Sequence, residues 1–309
     1  MRYTLKQLQY FVAAAETGSV KQASKAIPIS QPSVSAAISQ LEREFDVQLF
    51  LRHHARGLSL TAAGRRMLRE SRNLLAQANN LYSVAREISD EVHGAMSVGC
   101  FVTLAPMIMP ELLHTFSKEH SNSQLSLVEG DHESILSGLR RAEIDIAICY
   151  DLQLPEDIVF EPLVSLKPQV LVAANHALSS ADSLSIRQLA DESMILLDLP
   201  YSREYFLSLF YQAGVTPKIH SRSANQEVVR TMVANGYGFT LANVRPKSRL
   251  ALDGKELVSI PLKGRHRPMV IGLVSMLQER KSRLLETFEK HCHKHINRQH
   301  IPGMEAARS

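Results

Sequence analysis

Between residues 30 and 43 the chain sets short hydroxyl and amide side chains beside a single cation: Ser30, Gln31, Pro32, Ser33, Ser35, Ala36, Ser39, Gln40 and Arg43. On one edge of a helix such residues let the backbone approach a groove closely and offer donors and acceptors to base edges, which is the chemistry of reading duplex DNA. Arg52, His53 and Arg56 follow in a basic turn between two strand-like runs and suit phosphate, whose contacts add affinity with little sequence information. A second chemistry lies in two segments that each join an apolar run to a helical pattern, Phe101-Val102-Thr103 and Pro200-Tyr201-Ser202-Arg203. There Thr103 and Ser202 would cap helices and hold an anion, Arg203 would pair with a carboxylate, and Phe101 and Tyr201 would stack on an organic body. Tyr150, Arg222 and Ser223 are secondary wall candidates.

Other reactive residues promise less. Cys100 and Cys149 would end neighbouring parallel strands and could form a redox pair, although two buried small hydrophobes are the plainer expectation. His291 and His295 stand one helical turn apart, as metal ligands do, but at a helix end where a solvated, frayed turn is expected. No nucleophile with its base and acid, and no carboxylate pair, is marked by a local motif; Gly236-Tyr237-Gly238 lacks the rest of a dinucleotide fingerprint and reads as a turn. Catalysis, a cofactor and a metal are therefore not expected.

The elements that position the first set follow from periodicity. Leu5, Leu8, Phe11 and Ala15 give a helix over 5–17 that stops near Gly18, and Ser19 with Gln22 makes a capping box for a helix through Ala26. Ser30 is the N-cap of a third helix with Pro32 in its first turn, and Val34, Ile38, Leu41 and Phe45 gather on its core stripe. The opposite edge is then the polar set above. Strand, basic turn and strand over 45–60 make a wing, so the head reads as a winged helix-turn-helix. Charge agrees: residues 1–72 hold eleven Lys/Arg against five Asp/Glu, a balance of +6, within a chain of net +4.

Ser19-Val20-Lys21-Gln22-Ala23-Ser24, Ile29-Ser30-Gln31-Pro32-Ser33-Val34-Ser35, Ile38, Leu41-Glu42, Leu49-Phe50 and Leu60-Thr61-Ala62-Ala63-Gly64 together resemble the signature of LysR-type regulators. The resemblance implies that Gln31, Pro32, Ser35 and Ala36 meet DNA while the wing holds the backbone. Ala36 and Ala37 depart from the longer polar residues common in that family; Ala36 could touch a thymine methyl.

Thr61 opens a helix expected to reach about Val92, with Met67, Ser71, Leu74, Ala78, Leu81, Ala85, Ile88 and Val92 in steps of four and three, the seam of a coiled-coil dimer. The resemblance extends this to a homotetramer. Beyond it, strands at 96–100, 125–129, 145–149, 170–174, 194–197, 239–243 and 269–275 alternate with helices at 105–120, 133–141, 203–213, 225–234 and 281–295, which builds parallel, helix-covered sheets. Two lobes with crossings at 166–170 and 267–269 would resemble a periplasmic-binding protein. The expected fold class is thus α/β, with a winged helix-turn-helix domain over 1–60, a linker and dimerisation helix over 61–92, and an effector-binding domain over 93–309. Its first lobe takes 93–166 and 269–296, its second 167–268. The expected partners are double-stranded promoter DNA, a small anionic organic effector, further copies of the chain and RNA polymerase. A solute-binding protein would need export and no DNA head; no secretory signal or apolar run of membrane length is legible, three cysteines suggest no disulfide framework, and the cytoplasm is the expected compartment.

Overall fold

The computed structural model describes residues 2–53, 57–86, 92–277 and 281–306, with side chains left aside at 52, 53 and 79–86. It separates into two units, one built on Met1–Asp90 and one on Glu91–Leu139 with Ile144–Ser309.

The first unit runs α1 (Leu5–Thr17), α2 (Val20–Ala26), α3 (Gln31–Phe45), β1 (Phe50–His53), β2 (Gly57–Leu60) and α4 (Ala62–Arg86). Thr4 and Gln7 form a reciprocal capping box at α1 that the sequence reading did not pick out, and Gly18 ends the helix at φ 62°. At α2 only one arm of the expected box is present among the described residues, the Ser19 hydroxyl accepting from the Gln22 N–H. The Ser30 hydroxyl caps α3 through the Ser33 N–H. Leu8, Phe11, Ala14, Val34, Ile38, Leu41, Leu49 and Phe50 form the core, with the Phe11 and Phe50 rings edge to face at 5.5 Å. Glu42 fixes the turn into the wing by accepting from the Leu49 and Phe50 N–H groups at 2.8 and 3.2 Å. β1 and β2 pair antiparallel from Phe50↔Leu60 to His53↔Gly57.

Thr61 caps α4 as expected, accepting from the Gly64 N–H at 2.8 Å while donating to the Gln48 carbonyl at 2.6 Å. The first part of the stripe assigned to a dimer seam is otherwise engaged. Met67 and Leu74, with Leu68 and Leu75, pack on the core of this unit, and Ser71 is 2% exposed. Ile88 lies outside the described residues, the side chains of Leu81 and Ala85 are among those left aside, and Val92 packs on the core of the second unit.

The second unit runs β3 (Gly94–Phe101), α5 (Ala105–Glu119), β4 (Ser123–Gly130), α6 (His132–Arg140), β5 (Ile146–Tyr150), β6 (Ile158–Leu166), β7 (Gln169–Ala173), a 3-10 turn (Ile186–Leu189), β8 (Ser193–Leu197), α7 (Ser202–Gln212), β9 (Lys218–Ser223), α8 (Gln226–Ala234), β10 (Thr240–Ala242), β11 (Leu257–Pro261), β12 (Met269–Met276) and α9 (Arg283–His295). The first lobe's sheet has the order β4-β3-β5-β12-β6; the second lobe holds β10-β7-β11 and β8-β9. The expectation of parallel sheets needs correction. β3 is parallel to β4 and β5, but β12 is antiparallel to β5 and β6, and β7 is antiparallel to both neighbours. β6 leaves the first lobe and β12 re-enters it, so lying side by side they run in opposite senses. Each passage between lobes carries a proline, Lys167-Pro168 and Arg267-Pro268.

Candidate DNA-reading face and effector cleft

In the first unit, Val34, Ala37, Ile38 and Leu41 are buried and fix the rotation of α3. That rotation leaves Ser30, Gln31, Pro32, Ser33, Ala36, Gln40 and Arg43 exposed and Ser35 and Ser39 half-buried on the other edge. The residues expected to read bases thus lie on one continuous strip. Gln40 is partly engaged, its Oε1 accepting from Gln7 Nε2 at 2.7 Å, so Gln31 is the freer amide. β1 carries Arg52 and His53 along its backbone, and Arg56 lies outside the described residues.

In the second unit a cleft of about 500 Å³, counted with its mouth, lies between the lobes. Of the expected effector residues it brings together Thr103, Tyr150 and Ser202. The remaining wall comes from Leu171, Leu197, Phe206, Gln226, Val229, Arg230, residues 240–244 and Met269. Neither Thr103 nor Ser202 caps a helix: the N-caps are Leu104 and Tyr201, and neither makes a side-chain cap bond. At α5 the second position is Pro106, which has no N–H, and at α7 the Ser202 and Arg203 N–H groups already donate to the Pro200 and Leu199 carbonyls at 2.8 and 3.0 Å, so neither helix start is an open row of donors. At α8 the Asn225 side chain takes the Glu227 and Val228 N–H groups, and Gln226 faces the cleft.

Other expected contacts go elsewhere. Arg203 does not line the cleft; its guanidinium pairs with Asp198 at 2.8 Å and Glu204 at 2.9 Å. Arg222 points to the same Asp198 at 3.9 Å, and Ser223 Oγ accepts from the Asn225 N–H. Tyr201, strained at φ 63°, sets its ring against buried His132 at 5.3 Å. Phe101 is buried and backs the cleft indirectly, edge to face with Tyr150 at 5.4 Å. Val102 and Pro200 are not in the wall. Two basic residues beside one carboxylate explain the outcome: Asp198 satisfies locally the charge that the sequence offered to a ligand.

Burial pushes the Tyr150 hydroxyl well up, against a hydrogen bond to Thr103 that lowers it. Tyr205 is pushed up to about 12, again by burial, with the Asn243 bond opposing. Both phenols therefore stay protonated at neutral pH. Tyr205 donates to the Arg267 carbonyl at 2.7 Å and accepts from Asn243 Nδ2 at 3.2 Å, which also donates to the Leu166 carbonyl at 2.9 Å. Two side chains thus tie both inter-lobe passages together at the floor of the cleft. Asn243 Oδ1 is buried without a hydrogen-bond partner among the described residues. Arg230, 6% exposed, donates to the Leu250 carbonyl at 3.1 Å and sits 3.4 Å from Glu227.

Gln226, Arg230 and Asn243 were missed from sequence. Gln226 follows a strand and opens a helix, the same pattern that singled out Ser202, and Arg230 sits on the buried stripe with Val229 and Val233, an unusual place for a cation.

The thiols do not form a redox pair. Cys100 is in register with Ile148, so Cys149, one residue further, leaves the opposite face of the sheet. Both are buried, and burial raises both thiols, which suppresses the reactive thiolate.

Residues 89–297 match the family model described as LysR substrate binding domain, and residues 5–65 match that of bacterial regulatory helix-turn-helix protein, lysR family. The chain is 31% identical over 251 residues to the HTH-type transcriptional regulator YvbU of Bacillus subtilis, covering 81% of this chain and 84% of that one. Among solved structures, HinK, a LysR family transcriptional regulator from Pseudomonas aeruginosa, shows 34% identity and a TM-score of 0.65, over 96% of this chain and 99% of that chain. Full-length CbnR complexed with its target DNA shares the fold at 20% identity and a TM-score of 0.64, over 94% and 99%. Among the described residues no helix is long and apolar enough to cross a membrane. The chain belongs to the LysR family: it is a DNA-binding transcription regulator that joins a winged helix-turn-helix to an effector-binding domain.

Proposed function

We propose that the exposed edge of α3, centred on Gln31, Pro32, Ser35 and Ala36, reads promoter DNA in the major groove while Arg52, His53 and Arg56 of the wing hold phosphate. The observation that carries this reading is the rotation of α3: its apolar edge is closed in the core, and the small polar edge faces outward, exposed or half-exposed. Two copies joined through α4 would present two such helices to a pseudo-palindrome, and pairs of dimers would make the tetramer. Because Met67, Ser71 and Leu74 are engaged within their own unit, the dimer seam shifts to later positions of α4. The cytoplasm is its place of work, RNA polymerase a further partner, and the cleft a sensor and not an active site.

The effector is a small organic anion that also carries a hydrogen-bond donor. The Thr103 and Ser202 hydroxyls in the wall can donate to an anion, and the unpartnered Asn243 Oδ1 requires a donor. A ligand seated there touches the Asn243–Tyr205 pair that ties the two passages, so occupancy changes the angle between lobes and, through the oligomer, the spacing of DNA-reading heads. Linkage then demands different effector affinities in the two DNA-bound shapes. Footprinting of the protein's own promoter region, with and without fractionated metabolite extract, tests both halves. A protected palindrome whose extent changes with one fraction is expected; protection no better than on scrambled duplex at moderate salt would overturn the reading.

A further inference from the structure

His291 and His295 are not the solvated helix end that the sequence suggested. α9 stays helical through His295, the Ile296 N–H closes it on the Cys292 carbonyl, and His291 is 4% exposed. Its Nε2 lies 3.2 Å from the Leu112 carbonyl and 3.0 Å from Thr115 Oγ1 of α5. A carbonyl only accepts, and the Thr115 hydroxyl already donates to the Glu111 carbonyl at 2.8 Å, so Nε2 carries the proton and Nδ1 the lone pair. That lone pair faces another acceptor: Nδ1 is 3.4 Å from Glu119 Oε2 and has no hydrogen-bond partner among the described residues. The His295 ring lies 4.2 Å from that of His291, and its Nε2 is likewise buried and unpartnered among the described residues.

We propose that Glu119, His291 and His295 form a site for a divalent transition-metal ion of the zinc type, which ties the C-terminal end of α9 to that of α5. One ligand atom from each residue lies within 4.8 Å of the others. Two imidazoles and a carboxylate are zinc chemistry, and two ligands of one tetrahedral zinc stand about 3.3 Å apart, matching the Nδ1 to Oε2 separation. The Leu112 carbonyl supplies the outer hydrogen bond that holds a ligating imidazole in one tautomer. Glu119 Oε1 is occupied by Lys294 Nζ at 2.9 Å, so the carboxylate binds through Oε2 alone, and solvent completes the four positions. His300 is held by Glu111 at 3.1 Å and stays outside the ligand set. None of the three ligands lines the cleft, so the site is separate from effector binding.

The test uses the full-length chain stripped with chelator and titrated with Co2+, then Zn2+. One Co2+ per chain is expected, with the visible ligand-field absorption of a tetrahedral site, displaced by one Zn2+ that also raises Tm. His295→Ala and Glu119→Gln are each expected to lose that equivalent, the absorption and the Tm increment. The metal-free Tm and circular dichroism of each variant establish that it folds, and Glu119, being exposed, can be changed without disturbing the core. Absence of stoichiometric Co2+ uptake by the wild type, or unchanged stoichiometry and spectrum in both variants, overturns the assignment.

Discussion

On the proposed reading Gln31 and Arg52 make different kinds of contact and should fail differently. Replacing Gln31 by Ala removes a base-edge donor and acceptor, so discrimination between the preferred operator and single-base variants should fall by about 1–3 kcal/mol while binding to random duplex barely changes. Arg52→Ala should weaken specific and random duplex alike and reduce the slope of log K against log salt by about 1. Titrations at several salt concentrations separate the two, and equal losses on both duplexes for Gln31→Ala would remove its reading role. In the cleft, Thr103→Val and Ser202→Ala should each weaken effector binding about tenfold to a hundredfold, the worth of a hydrogen bond to a charged group. Arg203→Ala should leave that affinity unchanged, because its charge is spent on Asp198 and Glu204. Calorimetry with the purified effector distinguishes these outcomes. At this scale the exposed edge of α3 was legible, since helix periodicity alone decides which edge is buried. Much of the cleft was not, because ion pairing between residues 198, 203, 204 and 222 depends on packing that no short motif records.

Helices and strands were recovered where their patterns were strong and lost where they were mixed. β6 carries Glu161 and Pro162 within its length, and β9, Lys-Ile-His-Ser-Arg-Ser, offers no apolar alternation. Both are held by partners far along the chain, β6 by β12, which local propensity cannot anticipate. Gly64 shows the converse, a local rule overridden by its surroundings. In an isolated helix Gly→Ala gains about 1 kcal/mol. A Cβ at Gly64 would meet the Leu49 carbonyl oxygen at 2.1 Å, with the Leu60 side chain at 3.0 Å. Gly64→Ala should therefore destabilise the head by about 1–3 kcal/mol in spite of the better helix former. A chemical denaturation midpoint at or above the wild-type value would contradict that packing.

For the molecule as a whole, one buried group should show in the pH dependence of stability. His132 is fully buried, and burial lowers its pKa below the ordinary 6.5, against a backbone bond to Leu152 that raises it. The unfolded chain then binds the proton more readily, so this residue's contribution is complete above about pH 6.5 and is lost as the pH falls below that value. Tm should decline on acidification from pH 7 to 5, and His132→Gln should flatten part of that decline; identical slopes in both proteins would refute the assignment. The helix-turn-helix head and the two-lobed body were readable from the order of patterns, whereas the antiparallel return of β12 was not, since strand direction is a property of the route and not of composition.

The prolines in the two straps, Pro168 and Pro268, narrow how the lobes can respond. Ring closure freezes one of the two soft torsions at each strap and steers Lys167 and Arg267 toward extended backbone. Stiffened at both straps in this way, the lobes have fewer ways to move apart than two freely jointed linkers would give them. On the proposed reading, the bulk of a guest, and not only the strength with which it is gripped, would then bear on the signal sent onward.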